Sequence, residues 1–152
     1  MVFMKKQLKI FHLLQLAHGA FFKAADRKLK SELHISTTQL GVLFSLVKQD
    51  NAPITVIADQ LNMSYSSLSG VIDRMTKAEF VTRQQGTTDA RVQNVILLAK
   101  GRELAQRSAS KVRNINHALL KKFTLDEQET IARFLMHVTQ NAENIVSEKE
   151  RF

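Results

Sequence analysis

Residues 54–101 constrain this fold more than any other stretch, because their hydrophobic spacing switches from helical to strand-like in a fixed order. ITVIADQLNMSYSSLSGVIDRM reads as a short helix, a tight turn at Asn62-Met63 and a second helix capped by Ser64. In that second helix Leu68, Val71, Ile72 and Met75 recur at helical spacing and form a buried stripe. The opposite face carries Tyr65, Ser66, Ser69, Gly70, Asp73 and Lys77, with Ser67 and Arg74 at its margins. The β-branched and aromatic content of 80–84 and 92–98 then predicts two strands, with turn residues over 85–89 between them.

The rest of the chain predicts helices on both sides. Residues 5–33 form one long pattern in which Leu14, Ala17, Phe21, Ala24 or Ala25 and Leu29 follow helical steps. Leu13, Leu16, Ala20 and Phe22 widen that apolar face, which fits an ordinary core helix or one buried on two sides, as in a dimer. Ser36 and Gln39 have capping-box spacing and open a helix with Leu40, Leu43, Phe44 and Val47. It ends near residues 50–51, before Pro53, and Thr55 is the expected cap of the short helix that follows. After Lys100-Gly101 a helix runs to about Lys122. Thr124 and Glu127 open a last helix to about Glu150, with Ile131, Phe134, Leu135, Val138, Ala142 and Ile145 in stripe positions. The predicted fold class is mainly α with a small β-hairpin wing: a winged helix-turn-helix flanked by terminal helices.

With 152 residues, 44% of them apolar, the chain fits one domain with a proper core. It has no cysteine, so disulfides, thiolate metal sites and cysteine redox sensing are excluded. Lysines precede an apolar run near the start, as in a secretion signal, but Lys9, His12, Gln15 and His18 interrupt that run. No segment approaches the roughly 18 apolar residues of a bilayer span, so no membrane association and a cytoplasmic location are expected.

The net charge of +8 is unevenly spread. Residues 1–30 and 100–122 each carry +6, residues 123–152 carry −3, and residues 54–99 are neutral. Solvated helix faces account for this, and so do flanking helices that face phosphates beside a neutral reader. The five histidines form no i,i+3 or i,i+4 pair, and no phosphate loop, nucleophile elbow or paired carboxylate with catalytic context occurs. No catalytic residue, metal site or cofactor is therefore expected, and the chain does not read as an enzyme.

The run ITVIADQLNMSYSSLSGVIDRMTKAEFVTR, the Asp89-x-Arg91 tip and VILLAKGREL, in that order, resemble the MarR family of bacterial transcriptional regulators across nearly the full length. The resemblance implies a homodimer that holds two winged helices over palindromic double-stranded DNA. It implies dimerisation helices in 1–35 and 100–152 and a DNA-binding lobe in 36–99, together one MarR-like domain over 1–152. Ser64, Tyr65, Ser66, Ser69 and Gly70 match the recognition helix, with Arg74 and Lys77 further along it; Thr87, Thr88 and Arg91 lie on the wing. Ser36, Thr37, Thr38 and Gln39 match a helix start that meets the phosphate backbone. Asp89 matches an acid that braces the wing through an ion pair, with Arg83 or Arg74 as its mate.

The family also binds small effectors in a cleft; Phe11, His18, Phe22 and Lys23 are the candidates here, with core or dimer packing the other fate of the phenylalanines. The chain departs from the pattern at four places. Gly70 replaces a larger reader, Glu79 a glycine with positive φ, Ala90 a second wing arginine, and Leu98 a capping threonine worth roughly 1 kcal/mol. The implied function is a sequence-specific transcriptional regulator, a repressor released by a small molecule. A weakly specific architectural DNA binder and a winged-helix protein-interaction module are the rival readings.

Overall fold

The computed structural model describes residues 9–148, which form two compact units, 9–109 and 110–148. The first residues of the long N-terminal pattern, 5–8, and the end of the last helix at Glu150 lie outside the described residues. The order is α1 (Ile10–Leu33), α2 (Thr37–Lys48), β1 (Ala52–Pro53), α3 (Ile54–Gln60), α4 (Tyr65–Lys77), β2 (Val81–Gln85), β3 (Gln93–Leu97), α5 (Ala99–Leu120) and α6 (Leu125–Ser147). The chain is thus mainly helical with a small antiparallel sheet, as the sequence predicts.

In the first unit, α2 begins with the expected capping box: Ser36 Oγ accepts from Gln39 N at 3.1 Å, and Gln39 Oε1 accepts from Ser36 N at 2.8 Å. Its buried residues are Leu40, Val42, Leu43 and Leu46, whereas Phe44 is half-buried and Val47 is 50% exposed. The burial departs from the single stripe expected because α2 is enclosed by α1, α3, α4 and β3. The core of this unit centres on Ile35, Leu43, Leu46, Ile54, Ile57, Leu68, Ile72, Met75, Val81 and Val95, each at most 1% exposed. Burying each such side chain contributes about 1.5–3 kcal/mol, which holds α2, α3, α4 and the sheet together.

The sheet holds a strand that the sequence pattern does not reveal. β1 is only two residues long and pairs with β3, Ala52 opposite Val95 and Pro53 opposite Asn94, giving the antiparallel order β1-β3-β2. A proline is tolerated there because β1 is an edge strand. Asp50 brackets this corner: its Oδ1 accepts from Leu97 N at 2.9 Å and its Oδ2 accepts from Arg102 at 3.2 Å. Thr55 does not cap α3. Pro53 occupies the N-cap position with no side-chain bond, because β1 runs directly into the helix and puts Thr55 inside its first turn. Gly101, at the start of α5, approaches the Phe80 carbonyl so closely that a Cβ would sit 2.2 Å from its oxygen.

In the second unit, α6 opens with the expected capping box, Thr124 Oγ1 accepting from Glu127 N at 3.3 Å and Glu127 Oε2 from Thr124 N at 2.8 Å. Gln128 Nε2 donates to the Leu120 and Phe123 carbonyls and closes the connection to α5. The backbone leaves helical geometry at Asn141, φ −125° and ψ 16°, where the Asn141 amide donates to the His137 carbonyl at 3.0 Å. A side chain that competes for a helical carbonyl is a recognised source of such a kink. No residue of α6 is buried.

Candidate nucleic-acid interface

The helix-turn-helix is set by backbone chemistry. α3 ends at Gln60, and Asn62 takes a left-handed φ of 51° that lets the chain reverse; Met63 N then bonds back to Ala58 O at 2.9 Å. Asparagine tolerates that conformation better than most residues. Ser64 caps α4, its Oγ accepting from Ser67 N at 3.2 Å, and it donates to Ser67 Oγ at 2.8 Å. Ser66 Oγ lies 3.3 Å from the same cap. The first turn of α4 therefore presents a cluster of hydroxyls, with Tyr65 half exposed beside them.

The expected stripe of α4 is buried: Leu68, Val71, Ile72 and Met75. On its other side Ser66, Asp73, Arg74 and Lys77 are exposed, while Ser69 and Gly70 are half-buried. A Cβ built at Gly70 would meet only the end of Arg74, at 3.8 Å, so packing does not require glycine there. Glu79 has a φ of 62°, a left-handed turn made without the glycine that would adopt it freely.

The wing is a short loop with a tight base. Gly86 N bonds to Val92 O at 2.8 Å, and a Cβ on Gly86 would lie 2.9 Å from Asp89 O. Asp89 braces the tip locally, its Oδ1 accepting from Arg91 N at 2.9 Å. Thr87, Thr88, Asp89 and Arg91 are all exposed. The expected ion pair between Asp89 and Arg83 or Arg74 is corrected: Arg83 pairs with Asp73 at 2.7 Å. Arg83 lies on β2, alongside α4, so it reaches that helix, while Asp89 satisfies the backbone of its own turn.

Arg83 does more than pair with Asp73. Its Nη2 also donates to Ser69 Oγ at 2.9 Å and to Ser69 O at 3.1 Å, and its Nη1 donates to Gln93 Oε1 at 2.8 Å. One guanidinium thus joins α4, β2 and β3. Gln93 escapes sequence reasoning altogether, since it is one exposed amide in a strand with no motif around it.

At the start of α2 the hydrogen-bonding groups are largely committed inside the protein. Asp26 on α1 accepts from Thr37 N at 2.7 Å and from the Thr37 hydroxyl, and it pairs with Lys30 at 3.2 Å. The hydroxyl bond, then the amide bond, of Thr37 hold the Asp26 carboxyl below its ordinary range. Ser36 and Gln39 satisfy each other; Thr38 is half-buried beside them. The basic residues that open α5 are also engaged, Lys100 lying 3.8 Å from Glu79 and 5.5 Å from the Phe80 ring centre, and Arg102 bonding Asp50. Phe11, His18, Phe22 and Lys23 are exposed along α1, with the His18 and Phe22 rings 4.5 Å apart. A cleft of about 210 Å³ lies between α2 and α5, lined by Phe44, Val47, Arg102, Ala105, Gln106 and Ala109. Among the described residues no group of three His, Asp or Glu side chains is placed to hold a metal.

The helix, turn, helix, first wing strand and wing tip lie within the stretch that the MarR family model matches, residues 35–92. That stretch is of MarR type. The MarR match begins at Ile35, just before α2, and ends at Val92 beside the wing. YsmB of Bacillus subtilis, an uncharacterized HTH-type transcriptional regulator, is 26% identical over 118 residues, covering 78% of this chain and 81% of its own. Among solved structures, MepR of S. aureus in a complex with DNA superposes with a TM-score of 0.80 at 20% identity, covering 90% of this chain and 99% of that one. BpsR of Bordetella bronchiseptica, whose DNA binding is regulated by 6-hydroxynicotinic acid, gives 0.78 at 19% identity, covering 87% and 99%. Members of the MarR family are transcriptional regulators, not enzymes.

Proposed function

We propose that the protein is a sequence-specific DNA-binding transcriptional regulator, a cytoplasmic homodimer that represses by occupying a palindromic operator and is released by a small-molecule effector. One observation carries this reading: the MarR-type lobe leaves the hydroxyl-rich start of α4 and the Arg91 tip exposed, with the apolar stripe of α4 fully committed to the core. Small hydroxyl residues at a helix N-terminus suit close approach to phosphates and base edges, and an arginine at a wing tip suits a narrow minor groove. Ser64, Tyr65, Ser66, Ser69, Gly70, Arg74 and Lys77 are the proposed major-groove face, and Thr87, Thr88 and Arg91 the wing face. Thr38 is the least committed of the α2 candidates, because Asp26 already takes both donors of Thr37.

The homodimer rests on exposed apolar surface in the single chain. On α1, Phe11 is 82% exposed and Leu16 55%; on α6, Met136 is 59% exposed and Val146 83%. Helices whose stripes find no cover in one copy gain it from a second. In this reading 1–35 and 100–152 are dimerisation segments around the 36–99 lobe, all parts of one functional domain. Two-fold symmetry then sets half-sites about one helical turn, roughly 10 bp, apart. An effector among Phe11, His18, Phe22 and Lys23 would release DNA by changing the spacing of the two readers.

The test is a gel shift on the DNA upstream of the protein's own gene, with random competitor duplex at two salt concentrations. Specific retention at physiological salt is expected, and Arg91→Ala should weaken it roughly tenfold. Equal retention of random duplex with steep salt dependence would establish a weakly specific architectural binder. A stable dimer that retains no DNA at low salt would establish a protein-interaction module.

A further inference from the structure

The guanidinium of Arg83 lies where the recognition helix meets the wing, and its four contacts dictate what its neighbours can do. Nη2 carries two protons and meets three oxygens, Ser69 O, Ser69 Oγ and Asp73 Oδ1, at 3.1, 2.9 and 2.7 Å. Nη1 meets Gln93 Oε1 at 2.8 Å. A guanidinium only donates, so each of these partners must accept. The Ser69 hydroxyl proton therefore points away from Arg83, and among the described residues nothing takes it. The Gln93 amide is oriented without ambiguity: its oxygen faces Arg83, and its NH2 group turns outward from an exposed strand residue.

Asp73 cancels the charge of Arg83 at this seam, so what remains is directional rather than electrostatic. The Arg83 side chain is 23% exposed and the Asp73 side chain 61%. An exposed pair of this kind contributes little stability by itself. Its planar fork instead fixes four partners at once, which a lysine in its place could not do. A hydroxyl that accepts from a cation is also a stronger donor through its own proton.

We propose that Arg83 is a positioning residue that locks α4 to the wing and turns Ser69 O–H and Gln93 NH2 outward as a pair of hydrogen-bond donors for acceptor atoms of DNA, making Gln93 a further DNA-contacting residue. This rests on the DNA-binding reading above. The acceptors are phosphate oxygens or the acceptor edges of bases, and both present lone pairs to a donor.

The experiment measures affinity of the full-length protein for a duplex from upstream of its own gene and for a random duplex, alongside thermal unfolding. Gln93→Ala and Ser69→Ala should each weaken binding roughly threefold to tenfold with unfolding temperature unchanged. Gln93→Glu keeps an acceptor for Arg83 but replaces the outward donor with a carboxylate oxygen. It should preserve stability and weaken binding further than Gln93→Ala does. In an Arg83→Ala background, Ser69→Ala and Gln93→Ala should cost much less than they do alone, because their orientation is already lost. A loss equal on both duplexes assigns the donors to phosphates, and a loss confined to the upstream duplex assigns them to bases. Wild-type binding with Gln93→Ala and Ser69→Ala both neutral overturns the inference, as does full additivity with Arg83→Ala. A wild-type protein that binds neither duplex overturns the DNA-binding reading itself.

Discussion

The winged lobe and the last helix use similar apolar residues to opposite ends. In the lobe, Leu68, Ile72 and Met75 of α4 are 0% exposed, so the stripe predicted from spacing becomes core. On α6, Phe134, Leu135 and Ile145 occupy equally regular positions and remain 39%, 48% and 43% exposed. The first half of α1 behaves like α6, since its buried residues, Leu29 and Leu33, both lie near its end. Periodicity therefore reports that a face will be covered, but not by what. The lobe completes its own core; α6 and the first half of α1 leave their apolar faces exposed in the single chain.

The largest effect that tests this contrast is expected at Ile72. Replacing it with alanine removes packing from a fully buried site, which costs about 2–5 kcal/mol. Chemical denaturation should show this loss at every protein concentration. A cost below about 1 kcal/mol would mean that the lobe is less self-contained than its burial indicates.

Leu135→Glu is the matching change on α6, and its effect should depend on concentration. A charge on a face covered by a second copy opposes association, while the lobe keeps its fold. If the proposed homodimer forms, sedimentation should show dimer for the parent protein and monomer for the variant, with the helical signal of the lobe retained. An unchanged dimer would remove that face of α6 from the proposed interface.

What was legible in the sequence follows the same division. Both capping boxes, the buried stripe of α4 and the hairpin over 81–97 form as their local chemistry predicts. β1 was not legible because two residues carry no period, and Thr55 misled because a cap-forming residue beside Pro53 looks like a helix start. The resemblance implies Asp89 at the wing tip as a mate for Arg83, but the fold pairs Arg83 with Asp73. The nine residues between Asp73 and Arg83 span a turn that returns β2 alongside α4. Such a partnership is tertiary, and so is the orientation of Gln93.

Asp26 lies where α1 passes from its exposed half to its anchored one, so its titration measures how firmly that border is tied. Its carboxyl is held below the ordinary aspartate range, chiefly by the Thr37 hydroxyl and then the Thr37 amide. A carboxylate with a depressed folded-state pKa contributes stability that is present above the unfolded value and lost as pH falls through the folded one. Wild type should therefore be more stable than Asp26→Asn by a constant margin from neutral pH down to about 5, with the gap closing on further acidification. A margin that persists unchanged below pH 3 would show that the tie does not depend on the charge.

The smallest effect is expected at Glu79, inside the lobe at the turn between α4 and β2. Its φ of 62° places a side-chain-bearing residue in the left-handed region, a strain of order 1 kcal/mol that glycine does not carry. The compensating contact is weak: Lys100 lies 3.8 Å away, and the Glu79 side chain is 79% exposed. Glu79→Gly should therefore raise stability by roughly 0.5–1 kcal/mol, since relief of the left-handed strain outweighs the added freedom of the unfolded chain. Because the turn belongs to the lobe, the gain should appear undiminished in the monomeric Leu135→Glu background. If it disappears there, the lobe does not set its own stability, and the contrast between a finished lobe and unfinished terminal helices fails at its simplest point.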